Sequence, residues 1–153
     1  MGRNDAQSQL TPRVVRSLYT EAMVLADEAR SYFDRLGREE RDGLDPALRV
    51  GFSCESLKVT TRLMHIIAWL LTQRAVEAGE LSPAQARSSS RRLGDEPESD
   101  LSILERLPES ARALVAASRD LFVRCRRLDE VGPELAPQLS PARSLLSRLE
   151  RSF

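Results

Sequence analysis

The sequence predicts an all-α protein: an antiparallel three-helix bundle with a long central helix. Three observations carry that expectation. Three long segments space their apolar residues in alternating steps of three and four, which places them on one face of a helix. Each segment opens on a start signal, Thr11-Pro12, Asp45-Pro46 or Leu107-Pro108, and proline suits the first helical turn because its missing N–H is not needed there. No stretch alternates with the two-residue period of a strand, and no repeat of solenoid length is present. At 153 residues the chain is most simply one domain, able to bury roughly 70% of its unfolded surface.

Residues 1–11 are polar and are expected to be disordered. The bundle is expected over 12–132, and a proline-containing tail with a short amphipathic helix over 133–153. In the first helix Val15, Leu18, Ala22, Leu25, Ala29, Tyr32 and Leu36 keep the four/three spacing. Gly37 is read as its stop. Arg38 to Leu44 is a charged connector containing the turn dipeptide Asp42-Gly43, short enough to make the first two helices antiparallel neighbours.

The central helix is read from Asp45, as cap, to Gly79, as left-handed terminator. It carries two apolar stripes. Val50, Cys54, Leu57, Thr61, Met64, Ala68, Leu71 and Ala75 share one face, while Phe52, Val59, Leu63, Ile66 and Leu70 fall roughly opposite. A surface helix needs only one such stripe. Two imply that this helix is covered on both sides, by its own chain on one and by more of that chain or a second subunit on the other. Val59, Leu63, Ile66 and Leu70 are the candidates for the subunit contact. Leu63→Glu or Ile66→Glu is therefore expected to break assembly or folding.

Beyond it, Ser82-Pro83 begins a short capped helix and residues 88–99 read as a flexible loop; a helical turn near Asp100–Leu104 is interrupted by Pro108. The third long helix presents Ala111, Leu114, Ser118, Leu121, Cys125 and Leu128, widened by Val115 and Phe122, and stops at Gly132-Pro133. In the tail Leu145, Leu146 and Leu149 align with Phe153 after a Ser140-Pro141 start. A helix so short is unstable alone and must dock or fold on contact.

Chemistry is sparse. His65 is the sole histidine, and Cys54 and Cys125 make no disulfide framework. Cys54 and His65 lie about 16 Å apart along the helix, too far to share a metal, so no catalytic residue, metal or cofactor is expected. Both cysteines are read as small buried hydrophobes. The 23 basic and 23 acidic residues cancel, which removes the electrostatic footprint of a nucleic-acid binder. No apolar run approaches the ~20 residues of a membrane span, and no leader segment is evident. A cytoplasmic protein fits best. The better candidates for partner binding are a polar strip with one large aromatic, Glu55, Lys58, Arg62, Trp69 and Gln73, a composition common at interfaces. The basic cluster Arg124, Arg126 and Arg127 and the tail residues Leu145, Leu146 and Leu149 join them. A second basic cluster, Arg87, Arg91 and Arg92, lies in or near the loop.

Three blocks carry a resemblance: Leu18 to Asp34, Ser53 to Val76, and Leu107 to Asp129. In this order, over roughly residues 14–130, the chain resembles the RcdA family of alphaproteobacteria, the regulators of CtrA degradation. The resemblance implies a small three-helix protein that forms a homodimer and has no enzymatic activity. It further implies an adaptor that joins the ClpXP protease, primed by a response-regulator-like adaptor, and tethers cell-cycle regulator clients or further adaptors to its unfoldase. A dimeric helical scaffold in signalling or transcription control, without a protease link, is the alternative.

Overall fold

Helix α3, Pro46–Glu77, is the axis of the molecule, packed against α1, Gly2–Asp34, and α6, Glu109–Val131. The computed structural model describes residues 2–131, with side chains from Pro12 onward. Three shorter helices complete the described chain: α2, Leu36–Asp42; α4, Pro83–Ala86; and α5, Leu101–Leu104. Among the described residues there is no strand, and the fold is all-α.

The ends of α3 follow from local chemistry. Asp45 caps it, its Oδ1 accepting the Leu48 N–H at 2.9 Å, with Pro46 in the first turn. At the other end Gly79 takes a φ of +77°, Glu80 N donates to Ala75 O at 2.9 Å, and Gly79 N donates to Val76 O at 3.1 Å. That is a Schellman closure, which needs a residue without a Cβ penalty at the left-handed position. Ser82 and Gln85 form a reciprocal capping box on α4.

Contacts along the bundle fix its topology. Phe33 near the end of α1 meets Phe52 near the start of α3, ring centroids 5.7 Å apart. At the opposite ends Arg74 lies 4.9 Å from the Tyr19 ring centroid, so α1 and α3 are antiparallel. Between α3 and α6 the contacts rise together, Arg62 with Ser118 and Trp69 with Asp129. These two helices therefore run parallel, which corrects the antiparallel course expected for the second and third long helices of the bundle. The cause is the long connection over residues 78–108. α3 spans about 48 Å, and the chain returns along that length through α4, an irregular stretch over 93–100, and α5. A short loop forces antiparallel neighbours; a long crossover does not.

Two other expectations change. α1 is helical from Gly2, through Pro12, where a disordered leader was expected; proline inside a helix forfeits one backbone bond without necessarily ending it. Gly37 does not terminate α1. It is buried inside α2, and the break falls at Arg35, with φ −123° and ψ −92°. A Cβ at residue 37 would sit 2.8 Å from Tyr32 O, so glycine is needed there because two backbones approach closely.

The core is built from the inner faces of the long helices. Leu18, Ala22 and Leu25 of α1, Val59, Leu63, Ile66 and Leu70 of α3, and Val115, Leu121, Phe122 and Cys125 of α6 form one cluster. Phe52, Leu107 and Ala111 form a second at the end where α1 turns into α2.

Candidate interaction surface

The two stripes of α3 separate cleanly. Val59, Ile66 and Leu70 are fully buried and Leu63 is 4% exposed, all within one protomer. They are core residues and are closed to a second subunit, which corrects their assignment as the subunit contact. The opposite stripe is uncovered: Val50 is 64% exposed, Leu57 67%, Met64 64% and Leu71 47%. Large apolar side chains repeated along one helix face are unusual on a finished surface. Met23 of α1 is also 45% exposed, and a groove of about 300 Å³ between Ala26 and Arg30 of α1 and Thr60, Met64 and Ile67 of α3 runs beside the stripe. Periodicity reveals both stripes but not which one the rest of the chain covers.

The polar strip is largely structural. Arg62 is fully buried. Its Nη2 donates to Pro97 O and to Ser99 Oγ, each at 2.7 Å, and its Nη1 donates to Ser118 Oγ at 3.4 Å. Its Nε lies 3.2 Å from Glu96 Oε1 as an ion pair without hydrogen-bond alignment. Burial lowers the guanidinium pKa from its ordinary value, against the raising pull of Glu96 and Glu55. Glu55, 2% exposed, accepts from Ser99 Oγ at 2.7 Å, from the Asp100 N–H at 3.1 Å and from Lys58 Nζ at 3.2 Å. Trp69, 4% exposed, donates through Nε1 to Asp129 Oδ1 at 3.0 Å. Asp129 also accepts from Arg92 Nε and the Leu93 N–H. Glu55, Arg62 and Trp69 thus clamp the crossover onto α3 and α6; Glu55 and Arg62 present no side chain for partner docking, and Trp69 does no more than line two hollows at the surface. Lys58 is half-buried beside Glu55, and Gln73 lines a hollow next to Trp69.

The basic cluster of α6 divides. Arg124 pairs with Glu21 of α1 and with Asp120, and the Glu21 contact is the main cause of its raised pKa. Arg126 reaches Glu96 at 3.4 Å and lies over the Phe122 ring. Arg127 is exposed. Leu145, Leu146 and Leu149 lie outside the described residues.

Among the described residues the side chains with reactive chemistry lie apart. His65 is exposed on α3, and Cys125 is buried in the core, which pushes its thiol up to about 12. Cys54, expected to be buried, is exposed on the outer stripe. With α3 and α6 parallel, Cys125 comes level with Ile66, about 18 Å along the axis from Cys54. Among the described residues no three His, Cys, Asp or Glu side chains converge as a metal site, and no helix is long and apolar enough to cross a membrane.

Over residues 6–153 the chain matches the family described as "Protein of unknown function (DUF1465)". No curated protein matches it. Among solved structures, the crystal structure of RcdA from Caulobacter crescentus CB15 superposes with a TM-score of 0.62 at 32% identity, over 75% of this chain and 87% of that one. The DUF1465 match includes the tail that the three blocks left out. With the fold, the order of the blocks and both comparisons in agreement, the chain belongs to the RcdA family.

Proposed function

We propose that this protein is a non-enzymatic, cytoplasmic adaptor in regulated proteolysis. It works as a homodimer and tethers cell-cycle regulatory substrates or further adaptors to ClpXP, in concert with the unfoldase and its priming adaptor. The observation that carries the reading is the exposed stripe Val50–Leu57–Met64–Leu71, a face on which two copies of this RcdA-family member can pair and so present the rest of their surface twice. A tether needs such duplicated binding surface and no pocket for chemistry, because it acts by raising the local concentration of a client at the protease. A stripe running along a helix of about 48 Å is also long enough to pair with its own copy about a two-fold axis, the commonest symmetry of homo-oligomers.

The test is reconstituted degradation of a cell-cycle client by ClpXP with the priming adaptor, with and without this protein. Faster client loss in its presence supports the adaptor. An unchanged rate for every client tried, with all components active, overturns it. Affinity purification from the native bacterium that recovers signalling proteins and no protease component would favour the scaffold alternative instead.

A further inference from the structure

The loop between α4 and the irregular stretch over 93–100 separates two hollows that share one wall, the indole of Trp69. The first, about 330 Å³, has an apolar floor of Ala68, Trp69 and Leu93 and a rim that includes Arg91 and Arg92. The second, about 240 Å³, lies against Pro83 and Ala86 and carries Arg87. Among the described residues no carboxylate lines the first hollow. The one carboxylate of the second, Asp129, is already engaged by Trp69, Arg92 and the Leu93 N–H. Among the described residues Arg87 has no ion-pair partner, and Arg91 makes only a 3.4 Å bond to the Gln85 carbonyl.

We infer that this face binds an acidic peptide segment of a partner protein through one large apolar anchor residue. The anchor enters the hollow beside Trp69, and carboxylates on its neighbours pair with Arg87 and Arg91. The apolar floor is of a size to take one side chain, and apolar burial with charge pairing at the rim is how short segments gain both affinity and selectivity. Nucleic acid is disfavoured because base stacking needs exposed aromatic faces, and Trp69 is 4% exposed. A lone terminal carboxylate would use one cation, whereas Arg87 and Arg91 leave two without a carboxylate partner. This surface meets the outer stripe of α3 only at Ala68 and uses none of its large apolar side chains, so the inference stands or falls independently of the protease link.

Trp69 is the sole tryptophan, so its emission reports directly on the site. The probe is a short synthetic peptide rich in Glu and Asp, with leucine anchors, both ends blocked and a fluorophore for anisotropy. The expected result is saturable binding to the full-length protein, with a change in Trp69 emission and weakening as salt is raised. The Arg87→Glu/Arg91→Glu double variant, altered only at exposed side chains, should keep its helical circular dichroism and bind about tenfold or more weakly. Equal binding by that variant, equal binding of the lysine counterpart of the peptide, or binding seen only when the peptide ends in a free carboxylate would each overturn the inference.

Discussion

Nη2 of Arg62 lies 2.7 Å from the carbonyl oxygen of Pro97, a residue in a stretch with no regular structure. This fully buried guanidinium organises the crossover, binding Ser99, Ser118 and Glu96 as well. Breaking a buried pair costs far more than the pair contributes, because the surviving charge is stranded. Arg62→Met, similar in length but uncharged, removes the buried cation between Glu96 and Glu55, leaving them only the half-exposed Arg119 and Arg126 and the half-buried Lys58, and takes the donor from Pro97 O. It should destabilise the protein by about 3–5 kcal/mol, read as a lower urea midpoint. A loss below about 1 kcal/mol would show that the crossover is held by other means.

The two stripes of α3 make opposite predictions for the same substitution. Leu63→Glu and Ile66→Glu place a carboxylate in the core, where it has no partner, and should unfold the chain or cost about 4 kcal/mol or more. Leu57→Glu and Met64→Glu lie on the uncovered face and should leave thermal unfolding nearly unchanged while converting a dimer to a folded monomer. Light scattering coupled to size exclusion checks both. A stable dimer in the Leu57→Glu/Met64→Glu double variant would remove the outer stripe from the subunit contact.

These contrasts mark how far the sequence reading reaches. Caps and terminators are local, so Asp45, Ser82 and Gly79 could be read directly. Helical periodicity likewise places residues relative to one another, and both stripes of α3 were legible. It is silent on what covers each stripe, so it does not separate the core face from a subunit contact. The parallel pairing of α3 and α6 depends on where a long crossover delivers the chain, and no local signal specifies that. Glu55 and Arg62 read as partner-binding residues in the sequence because their true partners are far along the chain; Pro97 is 35 positions from Arg62 and Ser99 is 44 from Glu55. Gly37 was read as a stop because glycine is common at helix ends, whereas its role comes from contact with the preceding turn.

Gly37 and Gly43 separate these two uses of glycine. At residue 37 an added Cβ meets backbone, Tyr32 O at 2.8 Å, which cannot move without shifting α1. Gly37→Ala should therefore cost about 1–3 kcal/mol despite the better helix propensity of alanine. Gly43 has a φ of −79°, and its nearest contact would be Glu40 O at 3.6 Å, an ordinary distance. Gly43→Ala should be neutral or stabilise by up to about 1 kcal/mol by restricting the unfolded chain. Denaturant melts of the two variants side by side give the answer, and equal effects would mean the α1–α2 corner is looser than its geometry indicates.

The two cysteines should differ sharply in reactivity and in their effect on stability with pH. Cys54 is exposed on the outer stripe, so a disulfide reagent should modify it in the native monomer and more slowly when the stripe is covered by a second copy. Cys125 is fully buried, and desolvation pushes its thiol from an ordinary value of 9.0 up to about 12. The thiolate is the reactive form, so Cys125 should react only on unfolding. The linkage has a definite sign. The folded pKa is raised, so the stability tied to Cys125 is fully present below pH 9. It is lost as pH rises from there towards about 12, because the unfolded chain ionises first. Cys125→Ala should therefore flatten the fall of the unfolding midpoint between pH 9 and 11, relative to the parent protein, while lowering it at pH 7 through the cavity it leaves. Parallel alkaline melts would decide the matter: a parent and variant that lose stability with the same slope would show that Cys125 ionises as freely in the folded chain as in the unfolded one.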